Sequence, residues 1–260
     1  MTNKMMRKQL EYDFTLVRNE RLAEKTWLME LQAPADAPAD LIARPGQYVN
    51  IEVEGKFLRR PISVCDWTSD GRLTLLYDVV GEGTAAMSAW QPGRSVNMLA
   101  PLGNGFDVNA LGERPLLIGG GIGIAPLYWL AKAIVAAGGK PTVVLGFNKG
   151  ADVVFVDQFR EVTDEVYVAT ANGECGVKGF VTDVDAVKDA ASFSAYAACG
   201  PYPMMRALGT TLPERGQLSL DERMACGFGI CMCCCIATRS GLKGICKAGP
   251  VFRSEDLIWK

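Results

Sequence analysis

At 260 residues the chain is long enough for two domains and a small additional module. Its 49% hydrophobic and 22% charged content excludes a disordered or low-complexity protein. A net charge of −2 excludes the strongly basic surface of a nucleic-acid binder. The N-terminal MTNKMMRKQLEYDF has no apolar core of signal-peptide length, and the most apolar later run, Ile122 to Ala137, is broken by Pro126 and Lys132. The expectation is therefore a cytoplasmic protein with no membrane span, whose thiols stay reduced.

The first hundred or so residues read as strands. Thr26 to Leu31 and Gln47 to Val53 alternate in polarity, and Leu73 to Val79 is an apolar run. Pro34, Pro38, Pro45-Gly46, Asp70-Gly71 and Pro92-Gly93 punctuate them, which predicts a small antiparallel barrel. Thr84 to Trp90 reads as a helix that follows Gly81 and Gly83 and has Thr84 as a cap, an entry suited to an anion. Arg59-Arg60-Pro61-Ile62-Ser63 places two guanidinium groups and a hydroxyl at a strand edge, a combination suited to phosphate, although exposed arginines are usually solvated surface.

From Arg114 the pattern becomes strand, glycine turn, helix: Pro115 to Ile118, then Gly119-Gly120-Gly121-Ile122-Gly123, then a helix to about Ala137. Strands are expected at Thr142 to Phe147, Val166 to Ala169 and Phe193 to Ala198. Helices are expected around Val153 to Glu161 and Pro203 to Gly209, which together imply a parallel sheet. The glycines would let a dinucleotide's phosphates approach a helix N-terminus, although the spacing is not the full GxGxxG fingerprint. Cys199-Gly200-Pro201 ends the last of these strands and puts a thiol and a tight turn at the same edge; the plain alternative is a buried core cysteine. Cys65 and Cys175 have no partners at ligand spacing and read as structural.

The stretch CGFGICMCCCIATRSGLKGIC, Cys226 to Cys246, concentrates six of the nine cysteines. Cys226 and Cys231 are separated by four residues, Cys231 and Cys234 by two, and Cys246 follows after eleven more. This is the plant-type ligand spacing of a [2Fe-2S] cluster, and Gly227 and Gly229 suit a loop wrapped around one. Zinc usually takes two short Cys-x-x-Cys knuckles, which this spacing fits poorly, and disulfides suit a reducing compartment no better. Cys233 and Cys235 are surplus to four ligands, and a Rieske centre is excluded because the chain has no histidine. The segment from Gly216 to Lys260 is too small to fold without its metal.

Arg60-Pro61-Ile62-Ser63, Gly81-Glu82-Gly83-Thr84, Gly119 to Pro126 and Cys199-Gly200-Pro201 occur in the order seen in ferredoxin reductase-like flavoproteins. With Cys226 to Cys246 and the tail Lys247-Ala248-Gly249-Pro250-Val251-Phe252 added, nearly the whole chain resembles the electron-transfer subunits of type B, NAD-dependent dihydroorotate dehydrogenases. The resemblance implies a multidomain fold: an antiparallel FAD-binding β-barrel over residues 1–110, a Rossmann-like parallel-sheet NAD domain over 111–215, and a [2Fe-2S] module over 216–260. FAD would be bound through Arg60, Pro61, Ile62 and Ser63, through Tyr77, Asp78 and Val79, and through Gly83 and Thr84. NAD(H) would be bound through Gly119, Gly120, Gly121, Ile122 and Gly123 and through Cys199, Gly200 and Pro201; the cluster ligands would be Cys226, Cys231, Cys234 and Cys246. The implied partner is an FMN-containing catalytic subunit in a heterotetramer of two copies of each chain. The chain departs from the family where Asn172 replaces an acidic residue and Glu174 a serine.

Chemistry leads to a similar relay. A nicotinamide delivers two electrons as hydride and a [2Fe-2S] cluster takes one, so a flavin between them completes the path without a protein base. Related reductase subunits, of the bifurcating transhydrogenase, ferredoxin-NADP reductase or anaerobic sulfite reductase type, share the flavin and nucleotide motifs. A redox sensor without turnover is the reading from another class.

Overall fold

Along β1 (Glu11–Arg21), Tyr12, Phe14 and Leu16 point inward while Glu11, Asp13 and Thr15 face solvent, an alternation that commits the strand to a sheet with one buried face. The computed structural model describes residues 10–259, so the basic N-terminal stretch before Leu10 lies outside the described residues. Five more strands follow: β2 (Thr26–Gln32), β3 (Tyr48–Ile51), β4 (Arg60–Trp67), β5 (Arg72–Asp78) and β6 (Ser95–Leu102). They close into an antiparallel barrel in the order β1-β2-β5-β4-β3-β6, with β6 pairing back onto β1. Phe14, Met29, Leu31, Leu73, Leu75 and Met98 fill its interior and leave no open edge. β2, β3 and β5 are the strands expected from the sequence; β1 and β6 are additional, each burying every second residue over most of its length. Helix α1 (Glu82–Ser88) spans most of the segment expected to be helical.

After α2 (Val108–Leu111) comes the second unit: β7 (Leu116–Gly120), α3 (Ala125–Ala136), β8 (Thr142–Phe147), α4 (Val156–Arg160), β9 (Val166–Thr170), β10 (Val177–Lys178), α5 (Asp185–Lys188), β11 (Tyr196–Cys199), α6 (Tyr202–Thr211) and β12 (Gly216–Ser219). Pro126 sits in the first turn of α3, where its missing amide hydrogen costs no helical bond. Leu127, Leu130, Ala131 and Ile134 of α3 are buried against the sheet. The strands from β10 to β12 are all parallel, in the order β10-β9-β8-β7-β11-β12.

Beyond the cysteine loop, β13 (Cys235–Thr238) and β14 (Gly241–Gly244) form a hairpin, followed by α7 (Ile245–Ala248) and β15 (Val251–Arg253). β15 adds antiparallel to β12 as the seventh strand. Residues 216–219 and 251–253, expected in a separate C-terminal module, are therefore the last two strands on one side of the second unit's sheet, and the cysteine segment is an insertion between them. Apolar Leu218, Val251 and Phe252 are buried there, and burial against the sheet outweighs their place in the sequence. Barrel and sheet share their cores: Leu28, Cys65 and Leu76 join one face of the sheet, and Tyr48 and Leu102 join the other together with Cys234, Ile245 and Cys246. Among the described residues no helix is long and apolar enough to cross a membrane.

Candidate functional site

The sheet reverses direction between β7 and β11. From β7 the chain builds outward through β8, β9 and β10, then crosses over to place β11 and β12 on the other side. In open α/β sheets ligands bind beyond the carboxyl ends of the strands at such a reversal. Gly119–Gly123 leaves β7 and Cys199–Pro201 leaves β11 at this point, with Gly119 and Cys199 directly paired. The two turns are in backbone contact: a Cβ on Gly123 would lie 2.4 Å from the Cys199 carbonyl oxygen, and one on Gly120 would lie 2.6 Å from Met204 Sδ. Ile122 is half-buried against the core. The Cys199 thiol is buried, and burial pushes its pKa up to about 12, so it is a neutral core group and the turn offers backbone only.

Three acidic groups surround Lys149 beyond β8. It lies 2.7 Å from Glu24 of the barrel and 4.0 Å from Asp152, and Glu174 accepts the Gly150 amide at 2.8 Å. A hydrogen bond to Glu24 holds the Lys149 ammonium above its ordinary pKa. Contacts with Asn172 and the Gly150 amide hold the Glu174 carboxyl below the usual range. The two positions at which the chain departs from the family pattern thus bond to each other, the Asn172 side chain accepting the Glu174 amide at 3.1 Å.

In the barrel, Arg60, Pro61, Ile62 and Ser63 begin β4, half-buried, and pair in order with Ile51, Asn50, Val49 and Tyr48 of β3. The two adjacent arginines have different partners. Arg59 is paired with Glu11 and Glu52, each at 3.0 Å, whereas among the described residues Arg60 forms no ion pair and bonds only to the carbonyls of Leu58 and Arg59. Its guanidinium lies across Gly83, where a Cβ would come within 2.1 Å of Arg60 Nε, so the arginine and the entry to α1 meet only because residue 83 is glycine. The Thr84 hydroxyl accepts the amides of Val80 at 3.0 Å and Gly81 at 3.3 Å and shapes that entry. Tyr77 turns its ring into the barrel and donates to Asn19 at 3.0 Å, with burial raising its pKa. Asp78 is paired with Lys25 at 2.8 Å and accepts from Thr26 at 2.7 Å. These two side chains are committed elsewhere, leaving their main chain, and that of half-buried Val79, for a ligand. An unpaired half-buried guanidinium on a bare glycine fits a phosphate of the expected FAD.

The four cysteines at cluster spacing are drawn together by the loop and α7. The Cys226 and Cys231 thiols interact, and Cys246 interacts with both Cys234 and Cys226. Among the described residues no three Cys, Asp or Glu side chains converge as on one metal ion. Four neighbouring thiols fit a two-iron cluster, which takes four thiolates on two irons. Amides are directed at the sulfurs: Ile230 N is 3.4 Å from Cys226 Sγ, and Cys246 N is 3.4 Å from Cys234 Sγ. Burial opposes ionisation of Cys226, but the amides of Cys231, Phe228 and Ile230 outweigh it and lower its thiol to about 6. Burial, then the Cys234 sulfur, pushes Cys246 up to about 12. Gly227, Gly229 and Met232 have positive φ, of 74°, 92° and 59°, which lets the loop turn its amides inward. A cavity of about 370 Å³ adjoins Cys234 and Cys246. A larger one, of about 990 Å³, lies by Arg114, Lys140 and Glu165 at the amino ends of the strands, away from all of these residues.

Two residues outside every sequence motif complete the site. Tyr48 and Asn50, on one face of β3, reach the cysteine segment: the Tyr48 hydroxyl lies 2.6 Å from Gly227 O and 3.1 Å from Cys246 O, and Asn50 Nδ2 donates to Cys226 O at 3.3 Å. A buried asparagine in an otherwise apolar strand is the only trace they leave in the sequence.

Comparison with known proteins agrees with this architecture. Residues 221–258 match the iron-sulfur cluster binding domain of dihydroorotate dehydrogenase B, and residues 117–209 match the oxidoreductase NAD-binding domain. The dihydroorotate dehydrogenase B (NAD(+)) electron transfer subunit of Geobacillus sp. (strain WCH70) is 41% identical over 254 residues, covering 94% of this chain and 97% of the relative. That of Fusobacterium nucleatum subsp. nucleatum is 38% identical over 256 residues, covering 94% and 97%. Among solved structures, an NADH-dependent reduced ferredoxin-NADP oxidoreductase studied for flavin-based electron bifurcation superposes with a TM-score of 0.82 at 32% identity, covering 95% of this chain and 90% of that one. Phthalate dioxygenase reductase, at TM-score 0.67 and 19% identity over 82% of this chain and 70% of its own, shares the fold. The chain belongs to the family of dihydroorotate dehydrogenase B (NAD(+)) electron transfer subunits.

Proposed function

We propose that this chain carries electrons between NAD(H) and a dihydroorotate-oxidising catalytic subunit by way of FAD and a [2Fe-2S] cluster, in the cytoplasm. The observation that carries the reading is the adjacency of β4 and β3: Arg60 to Ser63 lie on one strand, and the strand beside it holds the main chain of Cys226 and Cys246. When bound, FAD supplies the exchange between the electron pair of a hydride and the single electrons a cluster carries. Arg60, with Gly83 beneath it, would take a phosphate of that cofactor, with Ser63, Thr84 and the main chain from Tyr77 to Val79 completing the seat. Gly119 to Gly123 and Cys199 to Pro201 would line the nicotinamide dinucleotide at the sheet reversal, their bare backbone allowing close approach. Cys226, Cys231, Cys234 and Cys246 would ligate the cluster.

Oxidising dihydroorotate needs a base to take a proton from carbon as hydride leaves. The barrel, the sheet and the cysteine insertion occupy the described residues and leave no room for a substrate-binding (β/α)₈ barrel of about 250 residues. The relatives are electron transfer subunits, which supports placing the base on a separate FMN-containing subunit, in a heterotetramer of two copies of each chain. The purified chain should oxidise NADH with an artificial one-electron acceptor and leave dihydroorotate unchanged until that subunit is added. Orotate formed by the chain alone, shown by mass spectrometry to be free of any partner, would overturn this division of roles.

A further inference from the structure

We propose that Tyr48 and Asn50, barrel residues outside the segment matched to the cluster-binding domain, are positioning residues for the [2Fe-2S] cluster, so that β3 is the template on which its cysteine ligands are set. The proposal rests on reading Cys226, Cys231, Cys234 and Cys246 as cluster ligands. Cys226 opens the tight loop and Cys246 lies far along the chain, beyond a hairpin, so a group outside the segment can tie its two ends directly. The Tyr48 hydroxyl does this: it stands 2.6 Å from the carbonyl of Gly227, which follows Cys226, and 3.1 Å from that of Cys246 itself. Asn50, two residues along the same strand face, adds the bond to the Cys226 carbonyl at 3.3 Å.

Two features indicate a built contact rather than a chance one. Both side chains are fully enclosed, Tyr48 at 3% and Asn50 at 1% exposure, so their bonds are shielded from water. The loop lies directly on Asn50, because a Cβ at Gly227 would come within 2.4 Å of Asn50 Nδ2. The Asn50 Oδ1 atom is buried with no partner among the described residues, a cost to stability that the bond from Nδ2 to Cys226 O offsets in part. The groups that orient the ligands of a metal site govern its affinity and its electronic properties. Here they come from the barrel, and in the β3–β4 ladder Tyr48 stands opposite Ser63 and Asn50 opposite Pro61. The segment expected to seat FAD is thus one strand spacing, about 4.8 Å, from the residues that seat the cluster.

The test uses the full chain carrying both cofactors, with Tyr48→Phe, which removes one oxygen and keeps the ring in the core, and Asn50→Ala. Asn19→Ala is the control for general loosening of the barrel, since Asn19 accepts from Tyr77 at 3.0 Å and donates to Met87 O at 2.9 Å without touching the cysteine loop. The readouts are the electron paramagnetic resonance g-values of the reduced cluster, its rate of release to a chelator, and FAD content. Both β3 variants should keep wild-type FAD content, shift the g-values and lose the cluster about tenfold faster or more, while Asn19→Ala leaves the cluster as in wild type. Wild-type g-values and release rates in both β3 variants would overturn the proposal, as would equal acceleration in Asn19→Ala. A wild-type protein with no cluster signal would instead overturn the ligand assignment, and this proposal with it.

Discussion

Gly123 and Cys199 are in contact through their backbones: a methyl group on Gly123 would sit 2.4 Å from the Cys199 carbonyl oxygen and 2.7 Å from Gly200 Cα. The obstructing atoms are main chain of a paired strand and its turn, which cannot rotate aside. Gly123→Ala should therefore force the two turns apart, destabilising the protein by about 1–3 kcal/mol and weakening NADH binding more than FAD binding. Thermal denaturation and a titration with NADH measure the two effects. Unchanged NADH affinity would place the dinucleotide elsewhere.

The cysteine assignments separate cleanly. Serine at Cys226, Cys231, Cys234 or Cys246 should abolish the signal of the reduced cluster. Serine at Cys233 or Cys235 should leave it, because the Cys233 thiol faces the Arg223 carbonyl at 3.6 Å and the Cys235 thiol faces Met232 Sδ at 4.0 Å. Electron paramagnetic resonance of each purified variant decides, and a persistent signal in Cys246→Ser would refute the ligand set.

Arg60→Ala should purify depleted in FAD. The loss of a charge-assisted contact to phosphate is worth about 1.5–3 kcal/mol, or roughly ten- to a hundredfold in affinity. Arg59→Ala, whose guanidinium is held by Glu11 and Glu52, should lose far less. Flavin released by heat and measured by absorbance compares the two, and equal depletion would remove the distinction between them.

Lys149 lies just beyond the end of β8, where a 2′-phosphate would look for a partner, but Glu24 of the barrel holds it at 2.7 Å. NADH should therefore be preferred over NADPH. Glu24→Ala, by freeing the ammonium, should narrow that preference roughly tenfold, read as the ratio of kcat/KM values. A ratio that does not move would mean Lys149 takes no part in discrimination.

Across the junction of barrel and sheet, Lys132 of α3 is ion-paired with Asp66 of β4 and lies 5.5 Å from the Tyr128 ring centre. Asp66 is nearly enclosed and Lys132 only partly, so the pair falls between a surface bridge and a buried one. Lys132→Met should cost about 2 kcal/mol, and Asp66→Asn should cost less when Lys132 is already absent. Chemical denaturation of both single variants and the double variant gives the coupling, and additive effects would show that the two groups act independently.

The sequence by itself determined what depends on local pattern. Alternation marked β2 and β3, apolar runs marked β5, β7 and β8, and the intervals from Cys226 to Cys246 marked the cluster-binding segment, because a loop of fixed length presents thiols at fixed separations. Only the tertiary structure decided which of those parts meet. That Arg59 is paired and Arg60 spare depends on Glu11, 48 residues away, that Lys149 is neutralised depends on Glu24 in another domain, and that β12 and β15 extend the sheet depends on the apolar edge they cover. Tyr48 and Asn50 belong to the same class. Their partners lie between 176 and 198 residues downstream, and a hydrogen bond over that separation has no periodicity, composition or spacing to announce it, since the chain between the partners sets neither their distance nor their direction until the barrel has closed and the sheet has packed against it.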